Sequence, residues 1–335
     1  MLTRIVAFLF GLAAVLFGAL CFWPEMVGLQ RTYPFAFAVA SRGASALVAL
    51  IAVVVLIILG ILGKRARKIL RPVLLWLMVF VVASAGMVYT RGWTNVSVTK
   101  AQSSQITVFS WNTMGDKPGI TTIAAQALKA KADVVSLPET TLATGQAINR
   151  ILTAAGRPMQ ILHLAFDETY KAHSTVLLIS TSLGAYRLDD SHGTTSSSPS
   201  IVAQPQRAGS PIIVAAHAIA PTAGEMDVWR KDLTWLAKRC AVANVIMAGD
   251  FNASVDNTAG LGPAVMGNCG DVALTLGASS IGTWPANMPA LLGTQIDHVF
   301  YSSEWKPVGI TISPAFTDKW SDHRPVTATL VPVAN

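Results

Sequence analysis

Residues Val245–Ser254 read VIMAGDFNAS and indicate more clearly than any other stretch how the chain folds. The first four residues are apolar and favour β structure, so they predict a buried strand that ends at Gly249. Asp250 and Asn252 follow in a turn. A carboxylate and an amide at the mouth of a buried strand can handle a phosphate and a hard metal ion together. Asp and Asn are also common in ordinary turns, so the rest of the chain decides the meaning.

The composition indicates a membrane part. Of the 335 residues, 52% are hydrophobic and only 13% are charged, which is unusual for a soluble protein. Up to Asn95 there are nine Lys/Arg and one acid, a balance of +8, so the whole-chain charge of +7 leaves −1 for the remainder. The basic residues therefore belong to the membrane end, and the near-neutral remainder does not favour binding to nucleic acid.

Three uncharged apolar runs, Ile5–Trp23, Gly43–Gly63 and Pro72–Thr90, predict three transmembrane helices. Each holds about 20 residues, the length that crosses a hydrocarbon core as a helix. The first run could instead be a cleaved signal peptide, but it lacks a small-x-small cleavage site and two further runs follow it. Cys21 is then a free thiol within the membrane.

The loop Lys64–Arg71, KRARKILR, carries five basic residues and no acid. Because cytoplasmic loops are enriched in Lys and Arg, it predicts a cytoplasmic amino terminus and an extracytoplasmic position for everything after Tyr89. The loop could also bind anionic lipid headgroups, which is compatible with this topology.

We divide the chain into a transmembrane region (1–91), a polar linker (92–105) and one catalytic domain (106–335). Several predicted strands follow one another without a helix between them, which favours a layered α/β fold over a doubly wound sheet. Besides the opening strand, strands are predicted at Ile106–Trp111, Val134–Leu137, Thr175–Ile179, Ser200–Ala203, Ile212–His217, Ile296–Tyr301, Val308–Ile312 and Val326–Val331, and helices at Ile120–Lys131, Ala143–Ala155 and Met226–Cys240.

The domain has two cysteines, Cys240 and Cys269. The predicted topology places them in an oxidising compartment, where thiols pair, so a disulfide between them is predicted.

Further polar residues lie where predicted strands end. These are Asn112 in FSWNTMGD, Glu139 in VVSLPET, His217 in IIVAAHAIAP, Asp297 in IDHVF, and Asp322 with His323 in WSDHRPV. In this order, with GDFN and SDHRPV about 70 residues apart, the set resembles the endonuclease/exonuclease/phosphatase superfamily. The resemblance covers about 230 residues, from Ile106 to the end. It implies a four-layer α-β-β-α sandwich like that of deoxyribonucleases, and hydrolysis of a phosphoester bond.

The resemblance also implies a metal site. Glu139 is then the principal ligand, with Asn112 and Asp322 nearby. Oxygen ligands of this kind suit Mg²⁺ or Mn²⁺ better than zinc, which favours Cys and His.

The remaining members of the set receive roles in the reaction from the same resemblance. Asp250 orients or deprotonates the attacking water, and Asn252 holds the phosphate. His323 is charged and faces the phosphate, while Asp297 bonds to its other ring nitrogen. His217 donates to the phosphate or the leaving oxygen. Trp284, in a Pro/Gly-rich loop before Asp297, is a candidate for lining the substrate cleft or for packing in the core.

Two positions depart from the family pattern. Many relatives carry Asn or Asp where this chain has Met114, with Asp116 as the only nearby substitute. Nuclease relatives use an active-site tyrosine, for which Tyr170 is the nearest candidate. Taken singly, Asn112 also fits a turn and Glu139 a solvated loop acid, and His298 is expected to be structural.

The sequence therefore predicts a membrane-anchored, divalent-metal-dependent phosphoesterase that acts outside the cytoplasmic membrane. Its substrate is a phosphodiester or phosphomonoester, with lipid and cell-envelope phosphates as candidates. An extracytoplasmic nuclease is the first alternative, although nucleic acid rewards clustered cations that this domain lacks. A non-catalytic binding module on the same fold is the second. The oligomeric state is left open.

Overall fold

The computed structural model describes residues 2–61, 63–98, 104–313 and 320–333. The helices are α1 (Leu2–Phe22), α2 (Phe35–Ala40), α3 (Arg42–Ile61), α4 (Lys64–Arg91), α5 (Ile120–Ala130), α6 (Leu142–Ala154), α7 (Met226–Arg239), α8 (Val255–Thr258) and α9 (Val272–Thr275). The strands are β1 (Ile106–Ser110), β2 (Val134–Pro138), β3 (Met159–Ala165), β4 (Ser174–Ser180), β5 (Tyr186–Leu188), β6 (Ile201–Pro205), β7 (Ile212–His217), β8 (Val245–Asp250), β9 (Gly270–Asp271), β10 (Asp297–Tyr301), β11 (Trp305–Ile312) and β12 (Val326–Pro332).

The strands form two six-stranded sheets. The first has the order β11-β12-β1-β2-β4-β3 and the second the order β5-β6-β7-β8-β10-β9. Strands β1 and β2 are parallel, as are β7 and β8, whereas β10 runs antiparallel to β8. Neighbouring parallel strands therefore end at one edge of each sheet, which is where polar side chains following them can meet.

Apolar residues fill three interfaces, as four stacked layers require. Between the two sheets lie residues such as Val108, Ile179 and Ile246. Helices α5 and α6 cover the outer face of the first sheet with Ile123, Ile148 and their neighbours. Helix α7 covers the second sheet with Trp229, Leu233 and Leu236. The predicted α-β-β-α sandwich is confirmed.

Three strands, β3, β5 and β9, were not predicted. β3 lies at the end of the first sheet and six of its seven residues are half-exposed, so it lacks the run of buried residues that marks a central strand. β5 has three residues and β9 only two. Such short pairings give almost no pattern in a sequence.

The prediction of three transmembrane helices is supported for two of them only. Arg42–Ile61 and Leu70–Arg91 are long and apolar enough to cross a membrane. In α1 the qualifying apolar stretch is Gly11–Phe22. The helix α1 as a whole spans Leu2–Phe22, and its role as a third transmembrane helix stays a prediction.

The helices α1, α3 and α4 meet the sandwich at one end. Arg42 Nη1 at the start of α3 donates to the carbonyl oxygen of Phe22 at the end of α1, at 3.0 Å. Arg42 and Arg91 both form bidentate hydrogen bonds with Asp256, at 2.6–3.0 Å. We call Arg42, Arg91 and Asp256 the arginine–aspartate cluster. The basic stretch Lys64–Arg71 was predicted as a loop, but it forms the first two turns of α4. It lies at the end of α4 opposite to Arg91.

The segment between α1 and α3 is also fastened to the sandwich around α8. The side chain of Gln30 donates to the carbonyl of Ala259, and Asn257 Nδ2 donates to the carbonyls of Gln30 and Ala36, at 2.8–3.1 Å. Arg31 Nη1 donates to the carbonyl of Asn257 at 2.9 Å. This helical region therefore contacts the chain a few residues beyond Asn252.

The predicted linker is fixed over part of its length. Val96 forms both backbone hydrogen bonds of a bridge to Ile310 in β11, and Asn95 bonds the backbone of Ile312. The stretch 99–103 lies outside the described residues. The division of the chain at 92–105 stays a prediction.

Cys240 and Cys269 form a disulfide, as predicted. The bond joins the end of α7 to the residue before β9 and is fully buried. Cys21 is a free cysteine.

Candidate active site

Five strand ends place the predicted residues at one end of the sandwich. In the second sheet β7 ends at His217, β8 ends at Asp250 and β10 begins at Asp297, and the register pairs Asp250 with both of the others. In the first sheet Asn112 follows β1 and Glu139 follows β2. Both sheets therefore contribute to one site.

Two of the site residues have a left-handed backbone. Glu139 has φ 57° and Asn252 has φ 47°. Asn adopts this region readily, whereas for Glu it costs about 1–2 kcal/mol. Thr113 Oγ1 donates to the Glu139 carbonyl at 2.8 Å and holds the turn. Strained backbone that the surroundings enforce is typical of functional positions.

Asn112 joins the two sheets within the site. Its Nδ2 donates to Glu139 Oε1 at 3.0 Å and to Asp250 Oδ2 at 2.9 Å, and its Oδ1 accepts from the Met114 N–H at 2.9 Å. The amide oxygen is therefore already engaged. These contacts make Asn112 a bridge between the sheets, and its amide oxygen keeps a second lone pair for the ligand role that the resemblance implies.

His323 is held between two aspartates. Its Nδ1 lies 2.8 Å from Asp297 Oδ2, and its Nε2 lies 3.8 Å from Asp250 Oδ2. The imidazole therefore bonds Asp297 through one nitrogen and faces Asp250 and the site with the other. This is the Asp297–His323 arrangement predicted from the sequence.

His217 and Asn252 complete the inner wall. His217 Nε2 lies 3.9 Å from Glu139 Oε1, and its side chain is almost fully buried. Asn252 donates its backbone N–H to Asp250 Oδ1 at 2.8 Å and its Nδ2 to the Ala218 carbonyl at 2.9 Å. Asn252 is thus turned toward Asp250 and the end of β7.

The site separates the protonation states of its histidines. The carboxylates of Asp297 and Asp250 outweigh burial and raise the pKa of His323 to about 10. Burial, reinforced by the charge of His323, lowers the pKa of His217 to about 3. At neutral pH His323 is a cation and His217 is a neutral donor.

Burial raises the pKa values of two carboxylates of the site, Asp250 and Glu139. Desolvation raises the pKa of Asp250 to about 7, although the charge of His323 opposes it. Desolvation also raises the pKa of Glu139, with only partial relief from the Asn112 hydrogen bond, and the charges of Asp322 and Asp297 add to the rise. A further positive charge nearby would lower both pKa values and favour the ionised carboxylates.

A divalent cation fits this donor set. Within the described ranges no Lys or Arg forms an ion pair with Glu139, Asp250 or Asp297. Ligand atoms of Asp250, Asp297 and His323 lie within 4.8 Å of one another and could hold a metal ion. The His323–Asp297 hydrogen bond occupies that pair, however. The carboxylates of Glu139, 3.9 Å from His217 Nε2, and Asp322, 4.0 Å from His323 Nε2, are the other oxygen donors of the site and would hold a divalent cation.

Asp322 and Trp284 form the outer rim. Trp284 Nε1 donates to Asp322 Oδ2 at 2.9 Å, and Asp322 Oδ1 lies 4.0 Å from His323 Nε2. The indole is 41% exposed, so it lines the opening rather than the core. Its position agrees with the predicted place beside the substrate cleft.

Three candidates stand apart from the site. Asp116 accepts hydrogen bonds from the N–H and hydroxyl of Thr141, the N-cap residue of α6, and pairs with Lys171 at 3.2 Å. Met114 offers no oxygen ligand and is 43% exposed. The ring of Tyr170 is exposed and packs on His173.

Some supporting residues were not found from the sequence. Trp111 is buried and its Nε1 donates to the His323 carbonyl at 2.8 Å. Thr283 Oγ1 accepts the Asp297 N–H at 3.1 Å, and Ser321 Oγ accepts the His323 N–H at 3.0 Å. Of these three residues, only Trp111 could have been recognised from the sequence. It directly precedes Asn112, and neighbouring residues of an extended chain point to opposite faces, so Trp111 is expected to be buried behind the site.

His298 is structural, as expected. It is buried with Nδ1 2.9 Å from Asp271 Oδ2 and Nε2 2.9 Å from the Ala253 carbonyl. Both ring nitrogens are therefore used away from the site.

The matching family model decides the assignment. That model, the Endonuclease/Exonuclease/phosphatase family, matches residues 109–323, which is more than half of the chain. This chain belongs to the endonuclease/exonuclease/phosphatase family. Members of the family are metal-dependent phosphoester hydrolases, and the matched range contains every predicted site residue from Asn112 to His323.

Solved structures show the same fold. A humanized TDP2 from D. rerio with 14 mutations has a TM-score of 0.52 and 20% identity, covering 68% of this chain and 99% of that chain. D. rerio TDP2 in complex with a single-strand DNA product has a TM-score of 0.51 and 18% identity over the same shares. A family protein from Bacteroides vulgatus has a TM-score of 0.50 and 14% identity, again with 68% and 99% covered. A search of curated proteins gave no match.

The raised pKa values of Asp250 and His323 predict a bell-shaped pH profile of kcat/KM. Activity needs ionised Asp250, so it should fall as pH drops through that group's pKa. This value is about 7 without metal, and a bound cation lowers it. Activity should fall again near pH 10, where His323 loses its proton. Asp297→Asn should move the alkaline limb to lower pH, since Asp297 is the largest contributor to the raised pKa. An unchanged alkaline limb in this variant would contradict the assignment.

Proposed function

We propose that this protein is a membrane-anchored, divalent-metal-dependent phosphoesterase whose site lies outside the cytoplasmic membrane. The observation that carries the proposal is the meeting of Glu139, Asp250 and the Asp297–His323 pair at one end of the sandwich. The substrate is a phosphodiester or phosphomonoester.

The chain's own residues supply most of what the hydrolysis needs. Asp250 orients a water molecule and accepts its proton, so that the hydroxide bonds to phosphorus. Asn252, neutral His217 and cationic His323 donate to the phosphate oxygens, which become more charged in the transition state. The bond to the leaving oxygen breaks, and the proton returns to that oxygen through solvent. A divalent cation at Glu139 and Asp322 supplies Lewis-acid stabilisation of the phosphate.

Contacts at the helix ends support the proposed topology. The carboxyl end of α4 and the amino end of α3 both contact the sandwich, so the basic stretch Lys64–Arg71 at the amino end of α4 is remote from it. A hairpin of α3 and α4 that crosses the bilayer would place this basic stretch in the cytoplasm and the sandwich outside. We propose that α1 lies beside this hairpin, with its amino terminus inside.

An extracytoplasmic nuclease is the second candidate. D. rerio TDP2, whose fold this chain shares, has been crystallised with a single-strand DNA product. The near-neutral charge of residues 96–335 argues against it, because nucleic-acid binding depends on releasing counterions from many phosphates. A non-catalytic module is disfavoured by the complete set of polar residues in bonding contact.

The test uses the full chain in detergent micelles with Mg²⁺ or with EDTA. Wild type should release phosphate or the leaving group from at least one of phospholipids, sphingomyelin, polyprenyl phosphates, inositol phosphates, RNA or DNA, and EDTA should abolish this. Glu139→Gln should lower the activity on the order of 10²-fold and raise the Mg²⁺ concentration for half-maximal rate, because it removes a charged ligand.

Glu168→Gln is the matched control, since Glu168 is an exposed loop acid whose carboxylate pairs with His163 and accepts the Leu142 N–H, with no described bond to Glu139. It should leave rate and Mg²⁺ dependence unchanged. Equal effects of the two variants, or full activity in EDTA, would refute the metal assignment. Preferential nicking of plasmid DNA would favour the nuclease.

A further inference from the structure

An apolar groove lies among the helices next to the sandwich. It has a volume of about 450 Å³ and is bounded by α1, α2, α3 and α4. Residues that line it include Cys21, Ala38, Ala44, Val48, Trp76 and Phe80. We call it the helix groove. All the described residues that line it are uncharged, and several are small, so they leave room for a ligand between larger side chains.

The groove's position determines what can occupy it. Val48 and Ala49 in α3, and Trp76 and Leu77 in α4, belong to the two helices that are long and apolar enough to cross a membrane. In that setting the surrounding solvent is hydrocarbon rather than water. An uncharged, mainly apolar groove there fits a hydrocarbon chain and excludes a polar ligand such as nucleic acid.

The end of the groove at the start of α3 is connected to the candidate active site by a series of contacts. Ser41, just before α3, has its hydroxyl 2.7 Å from that of Thr294. Gly43 packs so closely on the carbonyl oxygen of Leu291 that an added Cβ would lie 1.8 Å from it. Ala44 and Ser45, which follow at once, line the groove.

The same contacts continue from Thr294 into the rim of the site. Thr294 pairs with Trp284 through backbone hydrogen bonds, and Trp284 Nε1 donates to Asp322. This series of contacts begins at the helix groove and ends at Asp322, the residue before His323. Met288 and Leu291, between Trp284 and Thr294, are exposed and apolar. This rim is suited to contact with lipid.

Exposed aromatic residues mark the level of the membrane surface. Trp23 follows α1, Tyr33 precedes α2, and Tyr89 and Trp93 lie at the end of α4, all with exposed side chains. Trp and Tyr concentrate where hydrocarbon meets water. These residues lie at the helix ends that contact the sandwich, so the rim with Trp284 and Asp322 is near the headgroups.

We propose that the helix groove binds a hydrocarbon chain of a membrane lipid phosphoester, so that the lipid's phosphate is presented to the site at Asp322 and His323. This proposal rests on the proposed function and names its substrate class. The lipid does not leave the bilayer to be hydrolysed. Its chain stays between the helices while water adds to phosphorus and the leaving oxygen takes up a proton, as described above.

The experiment compares two tryptophan substitutions in α3. Val48 and Val54 are both exposed on this helix, at 66% and 49%, but only Val48 is part of the groove lining. Val48→Trp should fill the groove, whereas Val54→Trp adds the same bulk elsewhere. The full-length variants are assayed with Mg²⁺ on phosphatidyl-p-nitrophenol and phosphatidic acid in mixed micelles. They are also assayed on bis-p-nitrophenyl phosphate and p-nitrophenyl phosphate in solution.

Wild type should prefer a micellar lipid ester to its soluble counterpart. Val48→Trp should lower kcat/KM for the lipid on the order of tenfold, the size of a lost or overfilled packing contact, and leave the soluble ester unaffected. An unaffected soluble ester also shows that the variant is folded. Val54→Trp should change neither rate.

Two kinds of negative result are distinguishable. Hydrolysis of the soluble ester alone, a preference for plasmid DNA, or equal lipid rates in the two variants would overturn the groove proposal and leave a metal-dependent phosphoesterase. A wild type that cleaves none of these substrates would refute both.

Discussion

Replacing His323 by Ala is expected to lower kcat/KM for phosphoester hydrolysis by about 10²–10⁴-fold, the usual contribution of a positioned acid–base group. The reason is geometric and electrostatic. The ring lies against Asp297 at 2.8 Å and faces Asp250 at 3.8 Å, and these carboxylates raise its pKa to about 10. In the proposed mechanism the protonated ring therefore stays beside the phosphate throughout the neutral range, and Ala cannot replace it. Steady-state kinetics at pH 7.5 with saturating Mg²⁺ measure the effect.

Two further variants identify the origin of that loss. Asp297→Asn keeps the shape but removes the charge that holds His323, so it should lose a large part of the same activity. His192→Ala is the control, because His192 has an exposed side chain and contributes only its backbone carbonyl to Trp235. It should behave as wild type. If His323→Ala were no worse than His192→Ala, the site would have been placed wrongly.

Replacing Asp256 by Ala is expected to destabilise the protein by about 3–5 kcal/mol, the cost of leaving a buried charge without its partner. The side chains of Arg42, Arg91 and Asp256 are only 9%, 17% and 10% exposed. Burial raises the pKa of Asp256, but the hydrogen bonds from Arg91 and Arg42 outweigh it and hold the net pKa below the usual value. Removal of the carboxylate therefore leaves two guanidinium groups facing each other. The apparent Tm in micelles should fall by roughly 6–20 °C.

A surface pair provides the comparison for this variant. Asp227 pairs with Arg230 but is 81% exposed, so Asp227→Ala should change stability by less than about 1 kcal/mol. A triple variant, Asp256→Leu with Arg42→Met and Arg91→Met, should recover much of the lost stability, since apolar replacement of a whole buried ionic cluster is often neutral. If Asp256→Ala and Asp227→Ala melted alike, the arginine–aspartate cluster would not hold the two regions together.

The strand pattern predicted a layered α/β fold because its central strands are continuous apolar runs, and the four-layer sandwich followed from the family resemblance. The site was predicted because polar residues lie where those runs end. Asp250 at the end of β8 and His217 at the end of β7 are the clearest cases. The sheet fixes the position of a residue at the end of a buried strand, so the sequence alone indicates which edge of the sheet carries its side chain. The Cys240–Cys269 pairing followed from the predicted compartment.

Features made by distant residues could not be read in the same way. Arg42 and Asp256 are 214 positions apart, and a lone Arg beside an apolar run reads as a flanking charge of a membrane span. The orientation of the Asn112 amide depends on three partners that only the folded chain brings together. Strand β3 lacks a buried face.

The hydrogen bonds between the α8 region and the segment that precedes α3 fix the position of the sandwich relative to the helices. Gln30, Arg31 and Asn257 fasten the helices to the sandwich within a few residues of Asn252, and the bridge at Val96 adds a second point of attachment. A sandwich attached at two places cannot move independently of the helices, as a domain on a flexible linker would. In the proposed topology, with the helices across the bilayer, these contacts would hold the site at a fixed distance from the lipid, and only a phosphate at that distance would be hydrolysed.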